Sequence, residues 1–95
     1  MLFIGQCDEN NRPNGLVRAI YKVGVVYEGI MTPSGYYDGF GIKYRYYGII
    51  SIGWWKNRNL NGNSIILNKD WTVKQNGWFI EGLYKGPMKL DQKYL

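Results

Sequence analysis

No histidine occurs among the 95 residues, so the side chain that most often moves protons near neutral pH is missing. The candidate nucleophiles are Ser34, Ser51, Ser64 and Cys7. None stands beside a base in sequence or in a strand–turn–helix elbow that would sharpen an oxygen or sulfur for attack. Seven acids are present, Asp8, Glu9, Glu28, Asp38, Asp70, Glu81 and Asp91. A carboxylate pair for glycoside hydrolysis needs about 5–9 Å across a cleft, and no spacing singles one out. Asp8, Glu9, Asp38 and Asp70 sit in turn-forming company. A single cysteine excludes an internal disulfide framework, and the usual zinc sets are absent. The stretch GYYDGFG (35–41) mimics half of a nucleotide-binding loop, but no helix follows to present its N-terminus. No catalytic residue, cofactor or metal site is expected, and the chain reads as a non-enzyme.

Charge and aromatic content offer binding chemistry instead. The net charge is +5 and 17% of residues are aromatic. In KYRYY (43–47) the bases Lys43 and Arg45 alternate with Tyr44 and Tyr46, which projects bases and rings onto opposite faces of an extended strand. Lys56 and Arg58 follow IGWW, and Lys85, Lys89 and Lys93 crowd the C-terminal end. The basic face of Lys43, Arg45, Lys56 and Arg58 has several readings. It is a solvated surface, a site for anionic lipid headgroups at about 1 kcal/mol per basic side chain, a platform for single-stranded nucleic acid, or a surface for an acidic protein. Nucleic acid is the least favoured partner, and nothing points to a small-molecule substrate. Trp54, Trp55, Trp78 and Phe79 form the second candidate surface, either as core or as a groove for a peptide, since interface hot spots favour such rings.

The elements that must position these groups are set by glycine. Gly5, Gly29, Gly53 and Gly77 recur every 24 residues without insertion, and a second series follows at Gly15, Gly39, Gly62 and Gly86. A third is visible at Gly24 and Gly48, with Trp71 and Thr72 in its next place. Ten of the thirteen glycines fall on this lattice; Gly35, Gly41 and Gly82 do not. Between them run short segments rich in Val, Ile, Tyr, Phe and Trp, namely LFIG, LVRAIYKV, VVYEGIM, FGIKYRYY, IISIGWWK, SIILN and VKQNGWFI. The links, DENNRPNG, TPSGYYDG, KNRNLNG and YKGP, carry turn chemistry. No window shows a helical stripe. The repeat unit is a β-hairpin, marginal alone, and four in succession make one antiparallel meander held by neighbour contacts. The first-series glycine leaves bare backbone over which a neighbouring ring lies. The second-series glycine is expected to end a hairpin loop.

The phases YEG at 27–29, GFG at 39–41 and Gly48, followed by IGWW, resemble the MORN repeat, whose unit reads approximately Y-x-G-x-(W/F)…G-x-G…G. The resemblance runs from Phe3 to about Met88 through degenerate units. Ser51 and Gln75 replace the leading aromatic in the last two, and of the second glycines of G-x-G only Gly41 remains. It implies an elongated, twisted sheet with a groove, used for protein contacts, self-association or membrane apposition, and without catalysis of its own.

The expected fold is therefore all-β, an open twisted antiparallel meander of consecutive hairpins in one domain spanning 1–95. Its units fall at about 3–26, 27–50, 51–74 and 75–90, with a tail at 91–95. A one-layer sheet of this length comes out near zero in apolar burial against conformational entropy, so a partner or a second copy is expected to contribute. The expected function is a protein-interaction or scaffold module, a subunit of a larger complex or of a self-assembly. It would bind through a groove of Tyr27, Met31, Trp55 and Phe79 and through exposed sheet edges, one of them capped by residues near 87–95. The alternative is a peripheral membrane or polyanion binder using the basic face. With no leader-like N-terminus and no apolar run of about 20 residues, a soluble, reducing, cytoplasmic setting is expected.

Overall fold

The computed structural model describes residues 1–88. The chain is all-β, eight antiparallel strands in one open sheet whose spatial order is the chain order. They are β1 Leu2–Cys7, β2 Pro13–Ile20, β3 Val26–Met31, β4 Tyr37–Tyr44, β5 Ile50–Lys56, β6 Asn59–Leu67, β7 Val73–Ile80 and β8 Leu83–Gly86. The odd strands begin one or two residues ahead of the expected unit starts. The end of the fourth unit and the tail at 91–95 lie outside the described residues, as does the expected cap beyond Met88.

Five of the seven turns share one design. In the segment Asp8–Arg12 the first N–H donates to the fifth carbonyl, and the fourth N–H donates back to the first. The segments starting at Tyr21, Thr32, Arg45 and Asn68 repeat this pattern at 2.8–3.2 Å. The fourth residue takes the left-handed conformation, which favours glycine. It is Gly24, Gly35 and Gly48 in three turns, but Asn11 and Trp71 in the others. The third glycine series is thus a turn requirement, and Gly35, off the lattice in sequence, fills the same role. The other two turns have two residues each, Asn57–Arg58 and Glu81–Gly82, all four with positive φ. That geometry matches the twist of the flanking strands. It makes Asn59–Gly62 part of β6 and Leu83–Gly86 a strand, where the sequence suggested links. At the other end of its segment, β4 stops at Tyr44, so Arg45 and Tyr46 belong to a turn rather than to an alternating strand.

A row of small residues crosses the sheet, Gly5–Val17–Gly29–Gly41–Gly53–Ser64–Gly77, each paired with the next. On this inner face the large side chains lean over the row from both sides. A Cβ on Gly41 would come within 2.7 Å of the Tyr27 ring, so the expected cover of a strand glycine by an aromatic is realised there. At Gly53 the cover differs from expectation, for the Ser64 side chain and backbone fill the space.

Gly15, Gly39 and Gly62 of the second series lie inside strands rather than at loop ends, and Gly86 ends β8. Between Gly29↔Gly41 and Met31↔Tyr37, β3 has one residue and β4 has three. The same mismatch recurs around Gly15 and Gly62. These are bulges, which bend the strand and sharpen its twist, and the glycine at the centre of each has φ between 105° and 132°. On the outer face Trp54 lies over Gly62, with its ring carbons 3.3–3.4 Å from where a Cβ would stand.

Candidate functional site

The inner face holds the core. Tyr27 and Tyr37 stack with ring centroids 3.8 Å apart and planes 7° from parallel, and Trp55 meets both edge-on at 5.9 and 5.4 Å. Such ring pairs add to the area they bury. Each polar handle finds a partner. Trp55 Nε1 donates to the Gly41 carbonyl at 2.9 Å, Tyr27 Oη to the Ile30 carbonyl at 2.9 Å, and Tyr37 Oη to Tyr21 Oη at 3.0 Å. Burial pushes the Tyr27 and Tyr37 phenols well above their usual range; their neighbour Tyr21 adds to both shifts, accepting the hydrogen bond from Tyr37. Val17, Ala19, Met31, Leu60 and Phe79 complete the cluster.

The structure therefore brings the expected groove residues Tyr27, Met31, Trp55 and Phe79 together, but as core. They are 0%, 1%, 3% and 2% exposed, and a partner meets almost none of their surface. The reason is the small-residue row, which lets rings from both flanks fold inward over bare backbone.

A depression opens beside Trp55 and Ser51. It has a volume of about 320 Å³, with Arg45, Arg58 and Lys74 at its rim and Leu60 and Ile66 at its apolar side. A second, of about 230 Å³, adjoins it through Arg58 and is bordered by Tyr21, Val25, Tyr37 and Lys43. The basic face thus divides. Lys43, Arg45 and Arg58 converge here, while Lys56 borders a separate recess with Asn57, Asn61 and Glu81.

Lys43 is half-buried, with its ammonium 5.1 Å from the Tyr37 ring centroid. Desolvation holds its pKa below the usual range, and the neighbouring Arg45 and Arg58 charges push the same way. The Arg58 guanidinium lies 5.3 Å from the Tyr36 ring centroid, and its Nε donates to the Gly35 carbonyl at 3.3 Å. Lys74 completes the cluster and was not expected. It lies 29 residues from Arg45 in sequence, and only the cross-strand register Ser51↔Ile66↔Gln75 brings its strand alongside.

The outer face has the opposite character. Leu16 pairs with Ile30, Phe40 with Trp54, and Asn63 with Trp78, which sets an apolar row across the sheet with no layer over it. Phe40 and Trp54 are each 50% exposed and Leu16 60%; the two rings meet edge-on at 5.6 Å. Beside this row Ile42, Ile52 and Ile65 pair in register, and burial raises the Tyr44 phenol's pKa, with the Glu28 carboxylate adding to the shift. At one edge of the sheet β1 exposes Leu2 and Ile4. At the other, β8 pairs only with Trp78–Ile80.

Among the described residues no three His, Cys, Asp or Glu side chains gather as a metal site, and no helix is long and apolar enough to cross a membrane. Cys7 is exposed and unpaired in any disulfide. No family model matches the chain, and no curated protein matches it.

Proposed function

We propose that the protein is a non-enzymatic interaction module that joins protein surfaces, a second copy of itself first among them, through the outer face of its sheet. One observation carries this reading. The pairs Leu16–Ile30 and Phe40–Trp54, with Trp78 beyond them, put large apolar side chains on one face of a sheet one layer thick, and the first four are exposed. Large exposed apolar patches on stable domains mark contact sites. The sheet outline of 41 × 34 Å exceeds the roughly 800 Å² per partner that a standard interface uses. Two such faces packed against each other give the aligned sandwich that single sheets otherwise lack. The resemblance to MORN repeats supports the same class of role, a scaffold that assembles complexes.

Mass measurement by light scattering, on the full chain and on Phe40→Ser/Trp54→Ser, tests the reading. A dimer that the double change converts to a folded monomer supports it. A monomer at high protein concentration, with a melting point unmoved by the double change, sinks it.

A further inference from the structure

The inner depression is a different surface, and it has its own ligand chemistry. Four cations, Lys43, Arg45, Arg58 and Lys74, border the two adjoining recesses, and no carboxylate borders either one. Among the described residues none of the four is ion-paired; the ion pair present is Arg12 with Asp8 at 2.9 Å, in a turn remote in sequence. Glu81 lies in the neighbouring recess with Lys56, beyond Asn59. Like charges held this close raise the local potential and draw in an anion. Lys43 has its pKa lowered chiefly by desolvation, and the Arg45 and Arg58 charges push it the same way.

Geometry narrows the anion. The cations run from β4 to β7, three strand spacings or about 14 Å, which is too long for one phosphate group. It equals four or five residues of extended chain at about 3.3 Å each. Apolar side chains border the same recesses, Val25 in one and Leu60 and Ile66 in the other. Asn59 and Gln75 add polar groups at the border, while Ser51 is buried. A single-stranded nucleic acid stacks successive bases on a run of open rings, yet of the rings bordering the recesses Tyr37 and Trp55 are 2% and 3% exposed, and Tyr47 alone is largely open, at 50%. A bilayer is flat, and Lys43 is set half-buried in the recess rather than on a protruding rim.

We propose that this depression binds an acidic segment of a partner protein in extended form, its carboxylates paired with Arg45, Arg58 and Lys74 and its apolar side chains set against Ile66 and Val25. The site is independent of the outer-face contact, so loss of one leaves the other intact.

The test uses the full chain and a fluorescein-labelled octapeptide alternating Glu with Leu, read by anisotropy. Comparison probes are the same peptide with Gln for Glu, vesicles containing phosphatidylserine, and oligo(dT). Arg45→Gln/Lys74→Gln is compared with Lys56→Gln/Lys85→Gln, which removes the same charge elsewhere. Melting curves establish that each variant is folded. We expect the Glu peptide to bind better than the Gln peptide, and the first variant to weaken it by about tenfold or more. The control should change it by less than about twofold. Equal loss in both variants, equal binding of the two peptides, or no binding of the Glu peptide overturns the proposal. So does a stronger response to vesicles or oligo(dT) that depends on the same two residues. Persistence of binding in Phe40→Ser/Trp54→Ser separates this site from the outer face.

Discussion

Trp54 and Trp55 are adjacent in sequence and belong to different environments. Trp55 is enclosed by two tyrosines, gives its N–H to a strand carbonyl and is 3% exposed. Trp54 lies over Gly62 and against Phe40, and half of its surface faces solvent. One face of the sheet has used its rings to make a core and left charge at the margin. The other has kept its rings on display. A single-layer sheet must close one face with its own side chains, and only the face with the small-residue row has room to fold rings inward. Large aromatics in such a sheet are therefore not interchangeable as binding residues: the best packed are the least available.

The largest way to break that comparison is to truncate each tryptophan. Trp55→Ala should cost about 3–5 kcal/mol, the range for a buried ring, and it also leaves the Gly41 carbonyl without its donor. Trp54→Ala should cost about 1 kcal/mol. Urea midpoints measure both, and equal losses would erase the distinction between the faces.

The next effect concerns the row itself. Gly41→Ala drives a methyl into the Tyr27 ring, and Gly53→Val drives a branched chain into Ser64. Each should cost roughly 1–3 kcal/mol through overpacking. Unchanged thermal midpoints in both would mean that the inner rings do not need the bare backbone.

Alkaline pH sharpens the contrast further. Tyr27 and Tyr37 have raised phenol pKa values in the folded chain, so the neutral form is favoured there. Their contribution is fully present below about pH 10, the unfolded value, and is lost as pH climbs above it. Lys43, held low, works in the opposite direction over part of that window. Two phenols outweigh one amine, so melting temperature should fall above pH 10, and the fall should be smaller in Tyr37→Phe. Identical pH profiles for the two proteins would refute the assignment.

The smallest effect separates turn from face. Trp71 occupies a left-handed turn position at φ 71° and is largely exposed. Trp71→Gly should relieve strain of about 1 kcal/mol, part of which is offset by the freer unfolded chain. A modest rise in melting temperature is expected, while a fall would show that the indole packs usefully.

The sheet was legible because glycine keeps a fixed register against strand-forming neighbours, and that register is a property of single positions. Turn type was less legible. Asn57–Arg58 lacks the glycine that usually marks a two-residue turn, and Gly35 gave no sign that its φ is +83°. Burial was the least legible. Trp55 and Phe79 read as core or as groove until the row Gly29–Gly41–Gly53 showed which way the rings fold. Lys74 needed the register of three strands before it joined Arg45 and Arg58, since nothing local to Val73–Ile80 distinguishes it from a solvated lysine.

Every strand here pairs through its backbone only with the strands before and after it in the chain. Such an object has a length that can be edited. One further 24-residue period would add two strands and about 10 Å of sheet, carrying the glycine row onward without disturbing what precedes it. Copy number would then act as a ruler, fixing how far apart the sheet holds whatever its two margins grasp.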